Sequence, residues 1–170
     1  MTTDTEYFPV AADIANIVED LASSYFGGAM PRVPQGVIQS ADAWTSYVTI
    51  SGPWNGAVTI SFPKEFAVQA TCNLLGFAPE TVSDEDAFGV MAEVTNVISG
   101  NLKGLISASV GGTCRMSLPL LSQGTEPLSI AETREEVWFS WHGQPCCVRL
   151  VRVDDTTRKS MPPIPHQTVQ

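Results

Sequence analysis

The sequence predicts an α+β fold: an antiparallel sheet with long helices packed on one face, organised as a pseudo-two-fold internal duplication. Three observations carry that expectation. Several stretches alternate apolar and polar residues around short turn signals, as hairpin strands do. Others carry apolar residues at helical spacing and are long, so the mixture favours α+β over a parallel α/β sheet. A short segment also recurs. Ala12-Asp-Ile-Ala-Asn-Ile-Val18 resembles Ala92-Glu-Val-Thr-Asn-Val-Ile98, and each of these helical stretches is followed by a Pro/Gly loop and then a hairpin.

Taken in order, the first helix runs from about Pro9 to Tyr25 on the apolar positions Val10, Ile14, Ile17, Val18 and Leu21, and Gly27-Gly28 ends it. Pro31, Pro34 and Gly36 mark a loop. Trp44, Val48 and Ile50 share one parity of a first strand; Val58, Ile60 and Phe62 share one parity of a second, with Thr59 and Ser61 opposite. Asn55-Gly56 between them is a hairpin turn signal. A second helix starts near Pro63, carries Phe66, Ala67, Ala70, Leu74 and Leu75 on its apolar face, and closes at Gly76. Ser83-Asp-Glu-Asp86 reads as a capping box opening the longest helix, which reaches about Ser107 before Gly111-Gly112 breaks the pattern. Strands are expected at Thr113–Leu118, after a Pro119-to-Gly124 loop near Pro127–Ile130, at Glu136–Trp141 and at Pro145–Val153, with His142-Gly143 as the last tight turn. The organisation expected is one domain over residues 1–153 and a disordered tail over 154–170.

Composition removes several function classes. Of 170 residues, 44% are hydrophobic and 16% charged, a globular balance. The net charge of −9 argues against nucleic-acid phosphates and against a polybasic membrane patch. No apolar run approaches the ~20 residues of a membrane span. The polar, acidic start Met1-Thr-Thr-Asp-Thr-Glu6 is unlike a secretory signal, so a cytoplasmic protein is expected. Four cysteines lack C-x-x-C spacing and share no ligand spacing with the two histidines, so no metal site is expected and the thiols read as free and buried. His142, in a tight turn, reads as structural or solvent-facing.

The long helix carries the candidate chemistry. Asp86, Gly89, Glu93, Asn96, Gly100 and Lys103 fall on one stripe, while Phe88, Met91, Thr95, Ile98, Leu102 and Leu105 form the core stripe. Glu93 and Asn96 therefore project together, with Cβ atoms roughly 5–6 Å apart. On spacing alone such a stripe is first of all the solvated face of an amphipathic helix. Two features set it apart. Asparagine has no propensity reason to sit mid-helix, and two interior glycines each cost roughly 1 kcal/mol relative to alanine. Close approach by another surface would account for both. Asn101 points about 100° away and reads as a cap or loop buttress.

Those residues resemble the signature helix of the CheC/CheX/FliY chemotaxis phosphatases: a glutamate, an asparagine three residues later, then a Gly-Asn pair, as in Glu93-Val-Thr-Asn96-Val-Ile-Ser-Gly100-Asn101. Gly56-Ala-Val-Thr-Ile-Ser-Phe62 with the following helix, and Ser117-Leu-Pro119-Leu-Leu-Ser-Gln-Gly124, are similar to the family's hairpin strand and post-helix loop. One intact E-x-x-N points to the CheX branch; Asp13 and Asn16 stand where a second site would have Glu and Asn, and read as a relic or solvated face.

The resemblance implies a phosphatase acting on a phosphorylated CheY-like receiver. Asn96 would position the attacking water and Glu93 would dock on the receiver's lysine. The receiver would supply Mg²⁺, with no cofactor of the phosphatase's own. It also implies a homodimer. The rival readings are a non-catalytic receiver-binding adaptor or flagellar switch-type module using the same face, and a plain oligomerisation module whose helix stripe packs on a sister subunit.

Overall fold

A computed structural model describes residues 8–39, 41–124 and 132–153. The element order is α1 (Ala11–Tyr25), β1 (Arg32–Val33), β2 (Ala43–Ser51), β3 (Gly56–Pro63), α2 (Lys64–Leu75), a single 3-10 turn (Pro79–Thr81), α3 (Asp84–Ser109), β4 (Arg115–Met116), β5 (Leu120–Gln123), β6 (Glu132–Trp141) and β7 (Gln144–Arg152). The strands form one antiparallel sheet in the order β1-β6-β7-β3-β2-β4, with β5 also pairing on β2. β4 pairs with the end of β2 and β5 with its beginning, so the two make one interrupted edge strand. The sheet reads alike from both edges. β1, which follows α1, borders the β6–β7 hairpin, and β4–β5, which follow α3, border the β2–β3 hairpin.

The expected α+β class holds, and strand parity explains it. Registered rows such as Ser46–Ile60–Val148–Val137 and Trp44–Phe62 present one face to the helices. On it Val48, Val58, Ile60, Phe62, Val148, Leu150, Val137 and Phe139 are buried against α1, α2 and α3. An aromatic cluster joins three elements at one end: Phe66 of α2 lies 5.6 Å from Trp141 and 5.7 Å from Phe26, which follows α1. The opposite face is also covered in its centre, by polar groups. Thr45 and Ser61 share a 2.8 Å hydrogen bond, Arg149 donates to Ser61, and Arg149 pairs with Glu136 at 2.7 Å. β3 is thus buried over almost its whole length rather than half-buried.

Terminators and caps follow the sequence closely. Gly27 (φ +66°) and Gly76 (φ +71°) end α1 and α2 in the left-handed conformation. The Ser83 hydroxyl accepts from Asp86 N–H (3.1 Å) while Asp86 Oδ2 accepts from Ser83 N–H (3.3 Å), the expected capping box. His142 (φ +48°) and Gly143 (φ +74°) form a tight turn with both central residues left-handed, and the exposed His142 ring stacks edgewise on Trp141.

The expected β2–β3 hairpin holds, with Asn55-Gly56 at the exit of its four-residue loop. Asn55 bonds back to Gly52 at 3.4 Å, and Gly56 is required because a Cβ would collide with Trp54 and the Val151 carbonyl. Pro63 is the cap residue before α2, not part of its first turn. Leu74 and Leu75 are exposed (39% and 48%), because they lie past the last turn of α2 that faces the sheet. Strand pairing reaches into both expected loops, as β1 and β5, since the outer strands of each hairpin offer unpaired backbone there. The Thr113–Leu118 strand shrinks to Arg115–Met116. The strand expected near Pro127–Ile130 and the tail after residue 153 lie outside the described residues.

One buried polar contact ties α3 to the sheet. Thr95 and Ser46, 0% and 1% exposed, share a 2.8 Å hydroxyl–hydroxyl hydrogen bond, and the Thr95 hydroxyl also lies 2.7 Å from the Met91 carbonyl. Replacing either partner strands a buried hydroxyl or its geometry. Thr95→Val and Ser46→Ala are each expected to lower stability by about 1–2 kcal/mol, and the double substitution by less than the sum. Urea unfolding midpoints at unchanged slope check this; strict additivity would show that the two hydroxyls do not interact.

Candidate functional site

Glu93 and Asn96 stand one turn apart in the middle of α3. The face between them and the sheet is filled by Val90, Met91, Val94, Thr95 and Ile98, all buried. Residue 95 lies about 200° around the helix from residue 93 and 100° from residue 96. Anchoring Thr95 on Ser46 therefore turns Glu93 fully outward and leaves Asn96 at the margin of the exposed face, half-buried. The expected stripe is recovered: Gly89 is exposed, and Gly100 and Lys103 are partly so. The core stripe is rotated slightly from the expected one. Phe88 and Leu105 sit at its edge, with Phe88 against Trp44 at 4.5 Å, and Ala87, Leu102 and Ile106 lie in its centre.

The polar groups of the site have few partners of their own. Glu93 Oε1 accepts from the Tyr25 hydroxyl at 3.4 Å. Among the described residues none hydrogen-bonds the Asn96 carboxamide. That leaves both an acceptor oxygen and an N–H donor pair available at the helix surface. Asn101 instead donates to the Val97 carbonyl at 2.9 Å, a bond within the helix rather than the loop buttress expected.

The glycines have no internal explanation. A Cβ at Gly89 or Gly104 would meet nothing within 4 Å, and one at Gly100 would make only an ordinary 4.0 Å contact with Met116. All three have helical backbones that alanine adopts more readily. Gly104, not singled out in the sequence, extends the same arc.

Asp13 and Asn16 are not the equal of this pair. Asp13 lies in the first turn of α1, where its carboxylate accepts from Val10 N–H at 2.8 Å, the usual duty of a helix-start residue. Asn16 is exposed.

Two open clefts of about 460 Å³ each flank α2, one lined by Val37, Asp42 and Pro145 and the other by Cys72, Trp141 and His142. Neither is lined by Glu93 or Asn96. Among the described residues no cluster of three or more His, Cys, Asp or Glu side chains is arranged to hold a metal ion. Cys114, Cys146 and Cys147 are buried and unpaired; burial pushes both adjacent thiols up, that of Cys147 to about 12, so they are inert rather than nucleophilic. No described helix is long and apolar enough to cross a membrane.

Tyr25 is the site residue the sequence did not disclose. It was legible only as the last residue of a helix, and no local spacing relates position 25 to position 93.

The family model described as chemotaxis phosphatase CheX matches residues 44–141, more than half of the chain and all of α3. Chemotaxis protein CheX from Vibrio vulnificus superposes with a TM-score of 0.65 at 18% identity, covering 83% of this chain and 94% of that one. The CheX–CheY–BeF3–Mg²⁺ complex from Borrelia burgdorferi gives 0.65 at 17%, covering 86% and 100%. The FliM middle domain from H. pylori gives 0.56 at 9%, covering 86% and 88%. At these identities the structural likenesses speak for the fold. None of the curated proteins matches the sequence.

If the glycines serve an external surface, removing them must help the isolated protein. Gly89→Ala and Gly104→Ala are each expected to raise unfolding free energy by about 1 kcal/mol, and Gly100→Ala by slightly less. Thermal or urea unfolding measures this; a loss of stability would mean that the glycines answer an internal need.

Proposed function

The chain belongs to the CheX family of chemotaxis phosphatases, and from that premise we propose that it hydrolyses the aspartyl phosphate of a CheY-like receiver domain in chemotaxis or two-component signalling. The observation that carries this reading is the Glu93–Asn96 pair on an exposed, glycine-flanked helix face. Such a face suits a protein substrate whose reactive group comes to it, rather than a small molecule that must be enclosed.

In the proposed reaction a water oxygen attacks phosphorus as the bond to the aspartate oxygen breaks. The products are the free carboxylate and dihydrogen phosphate, which keeps both of the water's protons. The transition state is loose, so placing the water in line matters more than a strong base. Asn96 suits this role. Its carbonyl oxygen accepts from the water and its N–H donates toward the phosphoryl group, while an amide cannot itself act as a base. Mg²⁺ held by the receiver would offset phosphoryl charge. Glu93 would pair with a receiver lysine and set Asn96 in register, a contact that contributes specificity more than affinity. The CheX–CheY–BeF3–Mg²⁺ complex of a structural neighbour supports a CheY-like receiver as the partner.

The reading includes action in the cytoplasm and a homodimer formed through a sheet edge. The β4–β5 edge supports the latter, with Leu118 and Leu120 exposed on it (67% and 38%). Light scattering is expected to give twice the chain mass, and a monomer at all concentrations would remove that element.

A receiver-binding adaptor would use the same face, and the likeness to FliM is the observation in its favour. Phosphate release from a panel of phosphorylated CheY-like receivers separates the two. Asn96→Ala is expected to cut kcat about a hundredfold or more while leaving affinity within about twofold. Glu93→Ala is expected to weaken both. Full activity in Asn96→Ala would remove the water-positioning role, and no release by the wild type would favour the adaptor.

A further inference from the structure

Tyr25 is seated firmly before its hydroxyl reaches Glu93. Its ring is partly buried against the helix–sheet core. Its carbonyl accepts from the Asn73 carboxamide of α2 at 3.2 Å. Two residues on, Gly27 turns the chain at φ +66°, and a Cβ there would press on the same Asn73 carboxamide at 3.2 Å. The last turn of α1 is therefore clamped against α2, and a residue with only two side-chain torsions carries that position out to α3. Its hydroxyl lies 3.4 Å from Glu93 Oε1, at the long end of hydrogen-bond distance, across 68 positions of sequence.

Glu93 needs such support. It is exposed, has three torsions, and among the described residues has no other hydrogen-bond partner. A free glutamate would have to lose rotamer freedom each time a partner docked. Tyr25 removes part of that loss beforehand, and a hydroxyl does so without neutralising the carboxylate. One donated hydrogen bond leaves Oε2 and the remaining lone pair of Oε1 for an incoming ammonium group.

We propose that Tyr25 is a positioning residue for docking: its hydroxyl, on a residue clamped by the Asn73 hydrogen bond to its carbonyl, holds the Glu93 carboxylate in the rotamer that receives a receiver's lysine. The inference rests on the reading of Glu93 as the docking carboxylate. It places a specificity-determining role on α1, outside the signature helix.

The test uses the full chain as wild type, Tyr25→Phe, Glu93→Ala and the double variant. Phenylalanine keeps the ring packing and removes only the hydroxyl. Three-bond NMR couplings of the Glu93 side chain, recorded without a receiver, read its rotamer population. Steady-state kinetics with a phosphorylated CheY-like receiver read KM and kcat separately. One dominant Glu93 rotamer is expected in wild type and averaging in Tyr25→Phe. KM is expected to rise about three- to tenfold in Tyr25→Phe with kcat within about twofold. In the Glu93→Ala background the same change should add nothing. Averaged couplings in the wild type, an unchanged KM in Tyr25→Phe, or additive effects of the two substitutions would each overturn the proposal. If the wild type dephosphorylates no receiver, the phosphatase reading alone fails, and receiver affinity is measured in place of KM: an unchanged affinity in Tyr25→Phe would overturn the docking role. The two failures are thus told apart.

Discussion

The hydrogen bond between Thr95 and Ser46 decides how the rest of this molecule presents itself. Both hydroxyls are buried, one on the longest helix and one on the sheet strand beneath it. A hydrophobic face about 100° wide tolerates some rolling of a helix on a sheet. A buried polar pair does not, because a small rotation leaves two desolvated hydroxyls without partners. Placing Thr95 between Glu93 and Asn96 in sequence fixes the azimuth of both. The side chains proposed to act are held outward by a residue that never meets the partner.

The same helix shows a conflict between stability and use. Its start is strongly specified, with a capping box and three acidic residues in the first turn facing the positive end of the helix dipole. Its middle then carries three glycines that no neighbouring atom requires. A further departure lies on the buried side, where the Ser99 hydroxyl has no hydrogen-bond partner among the described residues. Local rules broken in one stretch, within an otherwise consistent fold, are where function is expected to override stability. Here the override takes the form of a low, unobstructed surface.

The helices and the central hairpins were legible because their signals are local. Gly27 and Gly76 stop helices through the left-handed conformation, Ser83 and Asp86 start one through reciprocal hydrogen bonds, and alternate residues of β2 and β3 reach the helix face as their parity required. What was missed had no local signal. β1 and β5 are short runs with a proline beside them, and they are strands only because the outer strands of the two hairpins offer unpaired backbone groups at those places. Gly56 was legible as a turn glycine, but its reason is the bulk of Trp54 and the backbone of Val151, far along the chain. Leu74 and Leu75 matched the helical spacing, yet α2 leaves the sheet before they reach it.

The sequence by itself determined the α+β class, the long capped helix and the outward stripe of Glu93, Asn96, Gly89 and Gly100, because helical periodicity and capping act within a few residues. It also carried the motif that led to the family. Only the tertiary structure decided which way that stripe is locked, through Ser46, and which neighbour attends Glu93. It also separated the two halves of the internal echo: Asp13 is engaged in starting α1, while Glu93 stands free of any such duty in mid-helix. Those distinctions depend on contacts between residues 49 and 68 positions apart. Packing makes such contacts, and no pattern along the chain encodes them in readable form.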